Sequence, residues 1–460
     1  MIQIYNSLSR KKERIPRIKK LRLFVCGPTV YDDAHIGHAR TYIFFDFFAK
    51  YLRSLGHDVK YVQNITDIDD KIIRRASEEK KDPLKLADYF TKRYFADMKA
   101  LGVNSVNVYA PATKFIPQIV KQVQNLIKNG YAYEIPGDGW YYDISRFRNY
   151  GKLSGRTVEG AEDAISRIDE SVRKRNKGDF CLWKFSKPGE PSWKSPPGDG
   201  RPGWHIEDTA ISEHYFGPQY EIHGGGLDLK FPHHEAEIAQ QEAASGKNPF
   251  VKMWMHTGMV TVGGQKMSKS LGNFIAISDY LKNHSPEALR LAFFGCHYRS
   301  PADYNDKLIE NAERALSGLK EFSAKLDFIQ KSKVGSEQIA DISIYEKHFT
   351  NALQDDINTP EALASVFRLA SDLNPKIWTL SKKSAGAAQK HLKTALGALG
   401  IGLRLPKTPK KISDLARTRE KLRSNKQFIQ SDALRKKIDG LGYLIEDTPI
   451  GPFVWSKHQN

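Results

Sequence analysis

The stretch Leu21-Arg22-Leu23-Phe24-Val25-Cys26-Gly27-Pro28-Thr29-Val30-Tyr31-Asp32-Asp33-Ala34-His35-Ile36-Gly37-His38-Ala39-Arg40 decides the fold. Leu21 to Cys26 predicts a strand that stops at a Gly-Pro turn. Thr41 to Leu55 predicts a helix ended by Gly56, and the β-branched run Val59-Lys60-Tyr61-Val62-Gln63-Asn64-Ile65 predicts a second strand. Strand, turn, helix, strand is the opening of a parallel α/β domain, in which ligands gather beyond the carboxyl ends of the strands. Cys26, His35 and His38 therefore stand where chemistry is expected.

Working outward, 460 residues exceed what one hydrophobic core supports, so two to four domains are expected. The 71 Lys and Arg against 53 Asp and Glu leave a charge of +18. This favours a polyanionic partner, although proteins that never touch nucleic acid also carry such a balance. Cys26, Cys181 and Cys296 lie too far apart for a disulfide framework, and the apolar neighbours of Cys181 and Cys296 make those two packing residues. No long apolar stretch follows Lys11 and Lys12, so neither a secretory leader nor a membrane span is expected and a reducing cytoplasm fits best. Gly137 to Gly139, Lys187 to Pro191 and Pro196 to Gly203 predict an inserted subdomain and an extended, irregular return. From Pro286 the pattern is mostly helical until Tyr443-Leu444-Ile445, with a break at Leu403 to Lys411 that releases a small basic module.

Four groups of residues carry chemistry. His35 and His38 share one face of a first helical turn with Gly37 between them, where free amides and imidazoles can meet phosphate. Alone, such a pair also serves as a cap or faces solvent. Lys266-Met267-Ser268-Lys269-Ser270, flanked by Gly263-Gly264 and Gly272, sets two mobile ammonium groups in a flexible loop suited to gripping and releasing phosphate. His223-Gly224-Gly225-Gly226-Leu227-Asp228 lets backbone approach a base or ribose, with Asp228 accepting from ribose hydroxyls; a tight strand-to-helix turn capped by Asp228 suits it as well. His233 and Glu237 are i and i+4 on a helix opening after Pro232, a separation that one ion bridges, and Cys26 with Asp208 would complete four ligands around zinc. An ordinary helix pair and a core cysteine explain the same residues.

Taken together these strings resemble the cysteinyl-tRNA synthetases, a family of class I aminoacyl-tRNA synthetases, over nearly the whole chain. The family's HIGH signature resembles His35-Ile36-Gly37-His38, and its KMSKS signature resembles Lys266 to Ser270 without a substitution. Further likenesses are Cys26 to Asp32, Asn64 to Lys71, Gly203-Trp204-His205-Ile206-Glu207, Phe231 to Glu235, Asp355 to Pro360 and Leu444 to Pro449. The resemblance implies a Rossmann-like parallel-sheet catalytic domain over 1–110 and 205–240, with an inserted connective subdomain at 111–204. It further implies a KMSKS loop and tRNA stem-contact region at 241–310, a helical bundle at 311–402 and a small anticodon-binding C-terminal domain at 403–460.

The implied reaction is ATP-dependent activation of L-cysteine to cysteinyl-adenylate and transfer to the 3′ end of tRNA(Cys), by a monomer with ATP arriving as its Mg2+ complex. His35, Gly37, His38, His205, Gly225, Asp228, Lys266 and Lys269 would hold the nucleotide, with His35, His38, Lys266 and Lys269 catalytic and Lys269 the first choice for the essential lysine. Thr66 and Trp204 would line the amino-acid pocket. One zinc would recognise the substrate's thiolate and refuse serine. Cys26, His233 and Glu237 fall on three of the family's ligand positions, whereas Asp208 stands where the family has a second cysteine. A ligase joining cysteine to an amino sugar in mycothiol synthesis and a noncatalytic RNA-binding paralogue are the competing readings.

Overall fold

The Gly-Pro turn ends the central strand of a five-stranded, fully parallel sheet. In the computed structural model, which describes residues 2–16, 18–156, 173–268, 271–332, 339–405 and 407–457, the strands run Val251–Thr257, Tyr220–Gly226, Lys20–Val25, Asp58–Ile65, Val108–Pro111 across the sheet. Numbered along the chain this order is 5-4-1-2-3, so it reverses between Lys20–Val25 and Tyr220–Gly226. In open α/β sheets a crevice forms at such a switch point, outside the carboxyl ends of the strands. Cys26 and Gly226 are the residues that end up there.

The helix after the turn, Ile36–Ser54, begins with the HIGH residues themselves and buries Phe44, Phe45, Phe47 and Phe48. Gly224 is packed under it: a Cβ there would lie 2.2 Å from the Phe45 ring. The triple glycine is therefore the end of a central strand, not the strand-to-helix turn expected, and the chain turns only in the short helix Leu227–Lys230.

The inserted segment forms a four-stranded antiparallel sheet, Ala132–Ile135, Gly139–Tyr142, Phe180–Phe185 and Gly200–Pro202. Gly200-Arg201-Pro202 lies in the stretch expected to be irregular. Proline fits there because this is an edge strand, and the buried Arg201 side chain is held by Asp70 and Glu190.

The chain divides into two units, Met1–Pro286 with Tyr298–Tyr304, and Glu287–His297 with Asn305–Asn460. The second is helical over Asp306–Lys331, Ser343–Gln354, Thr359–Leu373 and Lys382–Ala398; Asn305, Asn358 and Ser381 cap the first, third and fourth of these. It closes with Lys410–Ser424, Phe428–Gly440 and the hairpin Tyr443–Thr448/Gly451–Ser456, packed around Ile412, Ala416 and Ile438. Two residues of this basic module turn inward. Arg419 is buried against Asp447, and Trp455 is 6% exposed within the hairpin, so neither faces a polyanion. No helix among the described residues is long and apolar enough to cross a membrane.

Candidate functional site

The site grows from the turn. Gly27 is obligatory because a Cβ would sit 1.7 Å from the Asn64 carbonyl oxygen, and its amide donates to the Asn64 side chain at 2.5 Å. This close approach leaves Cys26 at the crevice floor, 3% exposed.

His35 is the N-cap of the next helix. Its Nδ1 accepts from the Gly37 and His38 amides at 3.1 and 3.3 Å, while His38 Nδ1 accepts from the His35 amide at 3.3 Å. The rings stack at 3.8 Å between centroids. Burial lowers His35 to about 4, with Asp32 opposing; burial and then His35 push His38 well below its ordinary value. Both imidazoles are therefore neutral near pH 7. Because each Nδ1 is an acceptor, the hydrogen resides on Nε2, and both rings can present an Nε2–H donor. Capping and phosphate recognition are thus compatible in one pair of residues, one nitrogen for each.

The KMSKS loop is tied to the same helix start. Ile36 donates to the Ile275 carbonyl at 3.1 Å, Ile277 donates to the Ala34 carbonyl at 2.9 Å, and His35 bridges Ala276. Met267 packs over Gly37, where a Cβ would lie 3.4 Å from its terminal methyl. His35, His38, Asp228, Lys266, Cys26, Asp208, His233 and Trp204 all line one cavity of about 300 Å³. Lys269 lies outside the described residues.

The metal candidates converge as their spacing implied. Helix Ile206–Phe216 brings Asp208 in its first turn, and helix His233–Ser245 brings His233 and Glu237 on one face. His233 Nε2 is 3.2 Å from both Asp208 Oδ2 and Glu237 Oε1, and Cys26 Sγ is 3.8 Å from Glu237 Oε1. One ligand atom from each of the four lies within 4.8 Å of the others. Asp208 Oδ1 and Glu237 Oε2 are buried with no hydrogen bond. Burial raises the Cys26 thiol, and Asp208 and Glu237 raise it further; burial and then Asp208 raise Glu237. A thiol and two carboxylates crowded in this way lack a positive charge, and the donor set fits a divalent cation.

A second donor set, Cys26, His223, His234 and Glu237, shares two members with the first. Sequence reasoning missed it. Cys26 Sγ lies 3.2 Å from His223 Nε2 and 3.1 Å from His234 Nε2; His234 continues to His256 at 2.9 Å, and His205 meets His233 at 2.8 Å. Five of the chain's 14 histidines, all between positions 205 and 256, are packed here, a local density that the sequence does display. His223 and His234 are fully buried and do not reach the cavity, unlike Asp208 and His233.

Other expected positions separate. Trp204 stacks on His233 at 4.4 Å and faces the cavity. Thr66 is 1% exposed and donates to Glu207 at 2.7 Å, and its neighbours Asn64 and Lys71 line the cavity instead. Gly225 packs against His234, and of the three consecutive glycines it is Gly226 that lines the cavity. His205 supports His233 from behind.

Residues 13–314 match the family described as tRNA synthetases class I (C) catalytic domain, and residues 348–404 match the DALR domain. The chain is 42% identical to a cysteine--tRNA ligase of Methanococcus maripaludis strain C6, covering 99% of both proteins, and 43% identical to one from Thermoplasma acidophilum, covering 99% of this chain and 100% of the relative. Its fold is similar to that of Mycobacterium tuberculosis methionyl-tRNA synthetase in complex with methionyl-adenylate, with a TM-score of 0.61 at 14% identity over 84% of this chain and 90% of that one. The match to the catalytic domain over more than half of its length, together with relatives aligned end to end, means that the chain belongs to the cysteinyl-tRNA synthetases, a family of class I aminoacyl-tRNA synthetases.

Proposed function

We propose that this enzyme activates L-cysteine with ATP and transfers it to tRNA(Cys), using the single cavity at the switch point of the parallel sheet. The observation that carries the reading is the meeting of two chemistries in that cavity: neutral imidazole donors at a helix start, and the Cys26, Asp208 and His233 members of a metal-binding donor set. In the first step a carboxylate oxygen of cysteine bonds to the α-phosphorus of ATP, and the bond to the bridging oxygen of pyrophosphate breaks. In the second, a ribose hydroxyl of the tRNA 3′ end bonds to the carbonyl carbon and AMP leaves.

Neither step calls for a protein nucleophile, so the chain contributes alignment and charge stabilisation. His35 and His38 donate Nε2–H to phosphate oxygens, Lys266 and Lys269 stabilise the charge gathering on pyrophosphate, and Asp228 accepts from the ribose. ATP arrives with Mg2+. Cys26, Asp208, His233 and Glu237 would hold zinc, whose chemistry would be to recognise the substrate's thiolate. Three of these ligands line the cavity, which favours this set over the sealed one with His223 and His234. Trp204 packs on the His233 ring and keeps it oriented.

The test is cysteine-dependent exchange of pyrophosphate into ATP, followed by charging of a tRNA with a GCA anticodon. Exchange with cysteine but not serine, followed by transfer, is expected. Exchange without transfer to tRNA would overturn the synthetase assignment and leave an adenylating enzyme.

A further inference from the structure

The KMSKS residues are presented by a small hairpin whose turn is conformationally loose on its own. Strands Val260–Val262 and Gln265–Lys266 are joined by Gly263 and Gly264, both with positive φ (59° and 76°), and a Cβ on either would meet nothing within 4 Å. Backbone preference, not packing, therefore shapes the turn, and two adjacent glycines have many other conformations open to them. A side chain from outside the hairpin bears directly on this turn. The strand Ala302–Tyr304 runs parallel to Val260–Val262 on the side away from Gln265–Lys266. Its Asp303 Oδ1 accepts from the Thr261 hydroxyl at 2.7 Å and from the Gly264 amide at 2.7 Å. A single carboxylate oxygen thus fastens the first strand and the turn itself to the neighbouring strand.

The downstream side of the loop has its own tie. Asn273 Oδ1 accepts from the Ser268 amide at 2.8 Å, and its Nδ2 donates to the Lys266 carbonyl at 3.2 Å. Lys266 therefore leaves a fastened turn and enters a fastened bend, which restricts where its ammonium group reaches into the cavity.

We propose that Asp303 is a positioning residue for ATP, acting through the Gly263-Gly264 turn to hold Lys266 toward the cavity. The inference rests on the adenylation reading above. Asp303 lies at an exposed position outside the cavity and touches no reacting group.

The experiment compares D303A and D303N with the parent in cysteine-dependent pyrophosphate exchange, together with hydrogen exchange of the peptide spanning 261–268. Asparagine keeps the accepting oxygen and alanine removes it. D303A is expected to raise the KM for ATP about three- to tenfold, the scale of one ordinary net hydrogen bond, with the KM for cysteine unchanged. The Gly264 amide should lose protection by a similar factor, and D303N should stay within about twofold of the parent in both measurements. Parent-like ATP kinetics and amide protection in D303A would overturn the proposal, as would equal losses in D303A and D303N or a matching rise in the KM for cysteine. A parent chain without exchange activity would overturn the adenylation reading and, with it, a role for Asp303 in ATP binding; hydrogen exchange would then still report whether the clamp exists.

Discussion

At the scale of single residues, the distinctive feature is Asp208. In the proposed zinc set a carboxylate would be a harder ligand than the thiolate that the family resemblance implies at this position, leaving a bound ion less electron-rich and more receptive to an incoming thiolate but less tightly held. D208A should lower zinc affinity by more than about 100-fold, beyond the loss that follows removal of a supporting partner. D208C should retain the ion, and metal content after dialysis against a chelator distinguishes them. H223A and H234A should retain zinc too; loss of the ion in both would move it to the sealed donor set. His35 and His38 make a separate prediction. Their folded-state values lie below the unfolded value near 6.5, so the unfolded chain binds more protons between that value and about 4, and stability falls as pH drops through this window. His35 contributes about 2 kcal/mol of that loss once its partial exposure is discounted. H35N should show a shallower acid limb in urea unfolding between pH 6.5 and 4, and a parallel limb would exclude the buried neutral imidazole.

At the scale of elements, the helix Ile36–Ser54 and the strand Tyr220–Gly226 must approach closely for the crevice to form, and Gly224 permits it. Alanine there would overpack Phe45 and should cost about 1–3 kcal/mol, measured as a lower urea midpoint with unchanged slope. F45L in the same chain should recover part of the loss. The first sheet strands, the helix between them, and the His233/Glu237 pair were legible because each is written in local periodicity: alternation for the strands, a spacing of four for the ligands. The end of Tyr220–Gly226 was not, since three glycines carry no side-chain pattern and the reason for them is Phe45, nearly 180 positions away in the chain. Gly200–Pro202 escaped for a related reason: glycine and proline signal a turn locally, and only pairing with Phe180–Phe185 makes them an edge strand. The metal donors were found by spacing plus family likeness, whereas the approach of Cys26 to His223 and His234 depends on how two strands and a helix meet and has no signature in either neighbourhood.

At the scale of the molecule, a chain with an excess charge of +18 folds as two compact units. The nucleotide and metal groups belong to the first unit, and the match to the DALR domain and the basic C-terminal helices belong to the second. Burial of Arg419 against Asp447 shows that the positive density of the last helices is not all available to RNA. Exposed lysines such as Lys436 and Lys437 on Phe428–Gly440 are better placed to meet phosphate. Phosphate pairing of this kind adds affinity without base selection and weakens as salt displaces it. The double variant K436Q/K437Q should therefore lower kcat/KM for tRNA and flatten its dependence on salt by about 0.7–0.9 in log–log slope for each phosphate that is no longer neutralised. Pyrophosphate exchange, which needs no tRNA, should keep its parent rate. If the substitutions instead slow exchange as much as transfer, the tail supports the catalytic unit's structure and the two lysines are not an RNA surface. If transfer keeps its parent salt slope, phosphate is met elsewhere on the helical unit.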